Sequence, residues 1–281
     1  MCCFSQPTEL VAVADTYIFA RSDNDRQFLV YSMSYAASSE LAMVLPLPVP
    51  SHTSEDAVRF IDLHRYPTFF DDMGRGFIYQ RGGWGRHKGL RAISLVAPKL
   101  RVHSVGDFEA SFVPQIGDFN RLDERFRIPP DVWDQLPEYH NYGFAVFKLK
   151  ASFSRGVAGA MEKLFGSGVP KLRRVHPMAF TFPRRNPELL YFPTVHVHDG
   201  EVHWYADFDH ILYCQPDVGM EKYLRMWEIQ MWEGSYKVAS EFMNIARSKG
   251  IVSPDQSCWR LPLKGLLPNK DTLVGEGAAL P

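Results

Sequence analysis

Two apolar, β-branched runs joined by a polar turn constrain the fold of this chain more than any other feature. Residues 11–21 form one run, residues 27–35 the other, and Ser22-Asp23-Asn24-Asp25 lies between them. In the second run Phe28, Val30 and Ser32 alternate with Leu29, Tyr31 and Met33, the period of two that marks a strand. The pair predicts a β-hairpin. A third run over residues 41–45 leads into Pro46-Leu47-Pro48-Val49-Pro50. Proline has no amide hydrogen for a ladder, so the chain leaves the sheet there or follows its edge.

Patterning predicts further strands over residues 92–97, 107–113, 142–149, 178–182 and 190–197, and a return strand from 201 to about 206. Thr53 or Ser54 is placed to cap a helix that starts at Glu55 and takes Val58, Phe60, Ile61 and Leu63 as its apolar positions. Shorter helices are predicted over 120–126 and after Pro129-Pro130, and another over 154–165. Residues 221–247 read as a long helix, with Val238, Phe242 and Ile245 at helical spacing and Gly250 as its stop. Met220, Met226, Trp227, Met231 and Trp232 are then expected to pack this layer onto the sheet. The expectation is one α+β domain over residues 1–265: a mostly antiparallel sheet, helices grouped on one side, and a C-terminal helical layer. Residues 266–281, rich in Gly, Pro and small side chains, are expected to form a loosely ordered tail.

Composition excludes several classes of function. A formal charge of -1 leaves no electrostatic footprint for nucleic acid or an anionic membrane. No apolar run approaches the roughly 20 residues of a membrane helix, and Met1-Cys2-Cys3-Phe4-Ser5-Gln6-Pro7 lacks the pattern of a secretion signal. A cytoplasmic protein acting on a small molecule or a peptide is expected. Its four cysteines (Cys2, Cys3, Cys214 and Cys258) are too few for a disulfide scaffold, and Cys214 and Cys258 read as small buried hydrophobes. A loop over residues 74–91, rich in Gly and basic groups, matches no phosphate-binding pattern and reads as surface.

The residues that carry chemistry cluster in His196-Val197-His198-Asp199-Gly200-Glu201-Val202-His203-Trp204. Asp-Gly between alternating residues is a hairpin signal. With that turn, His198 lies opposite Glu201 and His196 opposite His203, on the face away from Val195, Val197, Val202 and Trp204. His196, His198, His203 and Glu201 are thus candidate ligands for Fe, Cu or Zn, a set too rich in nitrogen for Ca or Mg. Asp207, Asp209 and His210 are placed to accept the imidazole N–H groups. The His196-Val197-His198 spacing resembles the strand motif of cupin metal sites, although Glu201 follows at a different spacing and no second motif accompanies it.

At the other end of the chain, removal of Met1 would expose Cys2 as an amino-terminal nucleophile whose own amine acts as base. Pro7 departs from the strand that usually follows such a cysteine. Cys2 and Cys3 are alternatively thiolate ligands for a soft metal such as Cu(I) or Zn. The functional expectation is a metal-dependent enzyme, with Glu201 as fourth ligand or general base; it is oxidative with Fe or Cu and hydrolytic with Zn. A Cys2 hydrolase and a non-catalytic metal-binding protein are the alternatives.

Four stretches resemble an uncharacterised bacterial family known only as a domain of unknown function. They are Ile18-Phe19-Ala20 with Ala42-Met43-Val44-Leu45-Pro46-Leu47-Pro48-Val49-Pro50, then Val105-Gly106-Asp107-Phe108-Glu109-Ala110, Tyr142-Gly143-Phe144-Ala145-Val146-Phe147-Lys148-Leu149, and His176-Pro177-Met178-Ala179-Phe180-Thr181-Phe182-Pro183. The resemblance covers residues 1 to about 195 and implies no catalytic residue, because that family has no established activity. Its members usually carry a secretion signal and a membrane tail, which are not read in this chain.

Overall fold

A computed structural model describes residues 2–5, 10–77, 102–106, 108–151, 172–217, 219–225 and 232–276. The predicted loop beyond residue 77, the strand at 92–97, the helix at 154–165 and residues 226–231 lie outside the described residues. The strands are β1 (Cys2–Phe4), β2 (Leu10–Asp23), β3 (Arg26–Ala37), β4 (Leu41–Leu47), β5 (Arg59–Asp62), β6 (His103–Val105), β7 (Phe108–Val113), β8 (Gly143–Leu149), β9 (Arg173–Arg174), β10 (Met178–Pro183), β11 (Leu189–Phe192), β12 (His196–Val197), β13 (Tyr205–Gln215), β14 (Glu233–Val238), β15 (Ser257–Pro268) and β16 (Thr272–Gly275). The α-helices among the described residues are short: α1 (Phe69–Arg75), α2 (Pro130–Asp134) and α3 (Glu221–Arg225).

One sheet runs β12-β1-β4-β8-β7-β6 and a larger one β14-β15-β13-β2-β3-β10-β5, with β9 added beside β3; β11 and β16 pair separately. The predicted hairpin of β2 and β3 is present. Asp23 pairs with Arg26 across Asn24-Asp25, and Asn24 takes the positive φ of 53° that a tight turn asks of one residue and that Asn tolerates. The two sheets meet face to face. The Phe147 ring of β8 stands edge-on to Phe60 of β5 at 5.6 Å, and lies 5.8 Å from Phe180 of β10. The outer face of the larger sheet is also covered. Phe19, Val30, Ala179 and Tyr213 enter a second core with Phe69, Phe70, Met73, Met243 and Ile251, while Ile18, Leu29 and Phe180 enter the first.

This double coverage overturns the expected α+β arrangement. The protein is mostly β, built on large antiparallel sheets, with no helical layer grouped on one side and none at the C-terminal end of the described chain. A strand buried on both faces carries consecutive apolar residues, and over a few positions these imitate helical spacing. Residues 59–62 show the effect: Phe60 packs on the first core and Ile61 on the second, in a strand where a helix was expected. In the expected long helix, α3 ends at Arg225 and β14 pairs with β15, where Gly234 lies flat on the Trp259 ring. Phe242 and Ile245 pack against the outer core from a 3-10 turn and the bends after it. Residues 266–276, in the expected tail, hold the end of β15 and all of β16. Among the described residues no helix is long and apolar enough to cross a membrane.

Candidate functional site

The expected histidine hairpin does not form. β12 contains only His196 and Val197, and no return strand follows before Tyr205. The edge where that strand would lie is taken by a side chain. Asn269 Oδ1 accepts the His196 amide at 2.7 Å, and its Nδ2 donates to the carbonyls of His196 and His203, each at 2.9 Å. A primary amide offers the same donor and acceptor as a peptide group, so it stands in for one rung of a ladder. Two residues on, Asp271 fixes the approach to β12. Its Oδ1 accepts the amides of Thr194 (2.8 Å) and Val195 (3.1 Å), and its Oδ2 accepts the Tyr139 and Tyr191 hydroxyls at 2.6 and 2.7 Å. Burial, and then the charge of Asp271, hold both tyrosines well above the ordinary phenol range, so they remain donors.

The other edge of β12 pairs in parallel with β1, and the register sets Cys2 beside His196 and Cys3 beside Val197. The two ends of the sequence analysis, the cysteines and the histidines, thus meet in one sheet. Cys3 is fully buried, and Phe4 lies 5.7 Å from the His198 ring.

The predicted ligands divide into two groups. His196 (8% exposed) is buried and stacks on His198 at 4.8 Å and on Phe208 at 4.4 Å. Its Nε2 lies 3.1 Å from Nε2 of His210, which is 2% exposed on β13. One of these rings donates an N–H to the other. His198 Nε2 and His210 Nδ1 are buried with no hydrogen-bond partner among the described residues. Burial drives all three imidazoles toward the neutral form: His196 is pushed down to about 2, His198 to about 4, and His210 lies well below the ordinary range. His203 and Glu201 stand apart in solvent. His203 Nε2 pairs with Asp199 Oδ2 at 2.8 Å, which raises its pKa, and the other Asp199 oxygen accepts the Glu201 amide at 3.1 Å. The Asp-Gly pair does turn the chain, with Gly200 at φ 85°, but it closes a polar loop rather than a ladder.

His210 was expected as a neighbour of the imidazoles and is their direct partner; Asp207 and Asp209 were expected beside it and are exposed. Alternation along β13 carries the signal, since Phe208, His210 and Leu212 fall on the buried face and Asp207 and Asp209 on the other. Asn269 and Asp271 had no such signal, because their partners lie about 70 residues away or more in the chain.

Among the described residues no three His, Cys, Asp or Glu side chains form a group able to hold a metal ion. The reason is visible in the ring planes. His196 and His198 lie within 15° of parallel, and in-plane lone pairs on stacked rings do not converge on one point. The His196 and His210 rings also stack, 28° from parallel, but their facing Nε2 atoms stand 3.1 Å apart, near the span of two ligands held at about 2.0–2.1 Å by one cation.

No family model matches the chain. Among solved structures, the crystal structure of baculovirus P35 is similar over 98% of this chain and 99% of that one, at a TM-score of 0.49 and 12% identity, a likeness that carries no residue or role across.

Proposed function

We propose that this chain is a metal-binding protein that takes monovalent copper at the buried imidazoles of His196 and His210, with Cys2, the residue set beside His196 in the sheet, as thiolate donor. The observation that carries the reading is the 3.1 Å approach of the two buried Nε2 atoms. Both rings are neutral because of burial, which is the state a metal requires of imidazole. The β1–β12 register supplies a thiol at the neighbouring position, and thiolate with imidazole suits a soft ion. Charge favours Cu(I) over Zn(II): one thiolate and two neutral rings leave Cu(I) with no net charge, whereas a divalent ion leaves one positive charge to bury. Glu201, the expected fourth ligand or base, is exposed and adds nothing to this centre. We place the protein in the cytoplasm, where buried thiols such as Cys214 and Cys258 stay reduced.

A second reading makes Cys2, which that register sets beside His196, a nucleophile toward a peptide or small-molecule substrate once Met1 is removed, its own amine accepting the thiol proton. One experiment separates the two. The full chain is titrated anaerobically with Cu(I) against a chromogenic Cu(I) chelator. The expected result is one ion per chain, lost in Cys2→Ser and His210→Ala variants that keep the native circular dichroism. Surrender of all the copper to the chelator, or undiminished binding by Cys2→Ser, overturns the metal reading. An intact mass that shows Met1 removed, together with alkylation of Cys2 at neutral pH, then supports the thiol reading.

A further inference from the structure

Trp204 is 91% exposed, Tyr205 59% and Leu266 72%, and they make a strip of exposed apolar residues at one end of the β13–β15 ladder, Tyr205 and Leu266 on one face of it and Trp204 in the chain that leads into Tyr205. The register defines the face. Tyr205 pairs with Pro268, Asp207 with Leu266 and Asp209 with Lys264, and all six residues are exposed. The intervening positions, Phe208 and His210 on β13 and Leu263 on β15, are buried on the other side. Trp204 is not a fraying end, because its carbonyl accepts the Asn269 amide at 2.9 Å. An indole held almost wholly in water by a clamped backbone is a display, and exposed apolar strips of this kind mark binding surfaces.

The charges around the strip identify what it displays the ring to. Asp207 and Asp209 lie on the same face, Asp15 reaches Asp209 through its amide at 3.3 Å, and Asp199 and Glu201 lie in the loop that leads to Trp204. Against these five carboxylates stand Lys264, 3.8 Å from Asp209, and Lys270 beside Asn269. His203 pairs with Asp199 within the loop at 2.8 Å and offsets that carboxylate when it is protonated.

We infer that the Trp204–Tyr205–Leu266 strip and its acidic border bind a basic, extended segment of another protein. A guanidinium or ammonium group finds an indole and a phenol face for cation–π contact and carboxylates for charge-assisted hydrogen bonds. The aliphatic stem of the same Arg or Lys covers Leu266. The alternatives meet opposing charge. An anionic membrane or a nucleic acid is repelled by the carboxylates, and a second copy of the chain would bring the same five carboxylates against themselves. The inference is independent of metal binding, because Tyr205, Asp207 and Asp209 occupy the opposite face of β13 from His210.

The test uses the full chain and two short peptides, one alternating Arg and Ala and one alternating Glu and Ala, read by titration calorimetry and by the fluorescence of the exposed indole. The Arg peptide is expected to bind, and to weaken several-fold between about 0.05 and 0.3 M salt. Trp204→Ala is expected to lower its affinity about tenfold, as loss of a central aromatic does. Asp207→Asn is expected to lower it by a smaller factor. Both positions are exposed, so the folded state survives either change, which circular dichroism confirms. Equal binding of the two peptides, no change in Trp204→Ala, or stronger sedimentation with neutral phosphatidylcholine vesicles than with the Arg peptide each overturns the inference. So does a Trp204-dependent dimer in analytical ultracentrifugation.

Discussion

At the scale of single residues, the chemistry of this protein is an effect of burial on imidazole. His196, His198 and His210 have an ordinary histidine pKa in the unfolded chain and lowered values in the folded one. The unfolded state therefore takes up protons first as the solution is acidified. Stability from these rings is complete above about pH 6.5 and is lost as pH falls below it, because the folded state resists protonation. Thermal unfolding of metal-free protein between pH 7.5 and 5 is expected to show a falling Tm. His198→Phe, a ring of similar shape beside Phe4, is expected to shallow that fall. An unchanged slope in the variant would place the acid sensitivity elsewhere. His203, fully exposed and paired with Asp199, has its pKa raised and plays no part in this loss. The two fates of neighbouring histidines could not be read from the nine-residue motif. Both follow from which edge of β12 is covered, and Asn269 covers it.

At the scale of elements, β12 is a strand of two residues held by side chains rather than by a hairpin partner. Asn269 contributes three hydrogen bonds to this segment and Asp271 a further two. Truncating Asn269 leaves the part-buried amide and carbonyl of His196 unpaired, each such group costing roughly 1–3 kcal/mol when water cannot replace the bond. Asn269→Ala is expected to destabilise the protein by about 3 kcal/mol in urea unfolding. It is also expected to raise amide exchange at His196 more than in the distant β7–β8 ladder. Equal protection at both places would show that the clamp is not local. The β12 segment and its neighbours are also where the reading of the sequence was least complete. The Asp199-Gly200 turn was visible, because turn chemistry is local. Its closure into a ladder was not settled by it, since a side chain from beyond β15 competes for the same amides. The same distinction separates the β2–β3 hairpin, whose partner strands are adjacent in the chain, from the pairing of β1 with β12, which are about two-thirds of the chain apart.

At the scale of the whole molecule, two sheets share one core and a second core lies outside the larger sheet. Phe147 belongs to the inner core, between Phe60, Phe108 and Phe180. Its truncation to Ala is expected to cost about 3–5 kcal/mol. Because the inner core joins both sheets, near-ultraviolet and far-ultraviolet signals of the variant are expected to fall together at a lower denaturant midpoint; separate transitions would mean that the sheets unfold independently. The strands β2, β3, β4, β7, β8 and β10, the proline exit after Leu47 and the burial of Cys214 were all legible in the order of the residues. Alternation, missing amide hydrogens and apolar character act over a few positions and need no distant partner. The balance of strand over helix was not legible, because a sheet covered on both faces loses the alternation that would distinguish it, and residues 59–62 and 221–247 were read as helical for that reason. Nor was the arrangement of the imidazoles. Local chemistry marked His196, His198, Cys2 and Cys3 as reactive groups, but long-range pairing placed Cys2 beside His196, brought His210 to within 3.1 Å and turned His203 and Glu201 out to water. Neighbours in the chain set what a residue can do; backbone hydrogen bonds between distant segments set which residues do it together.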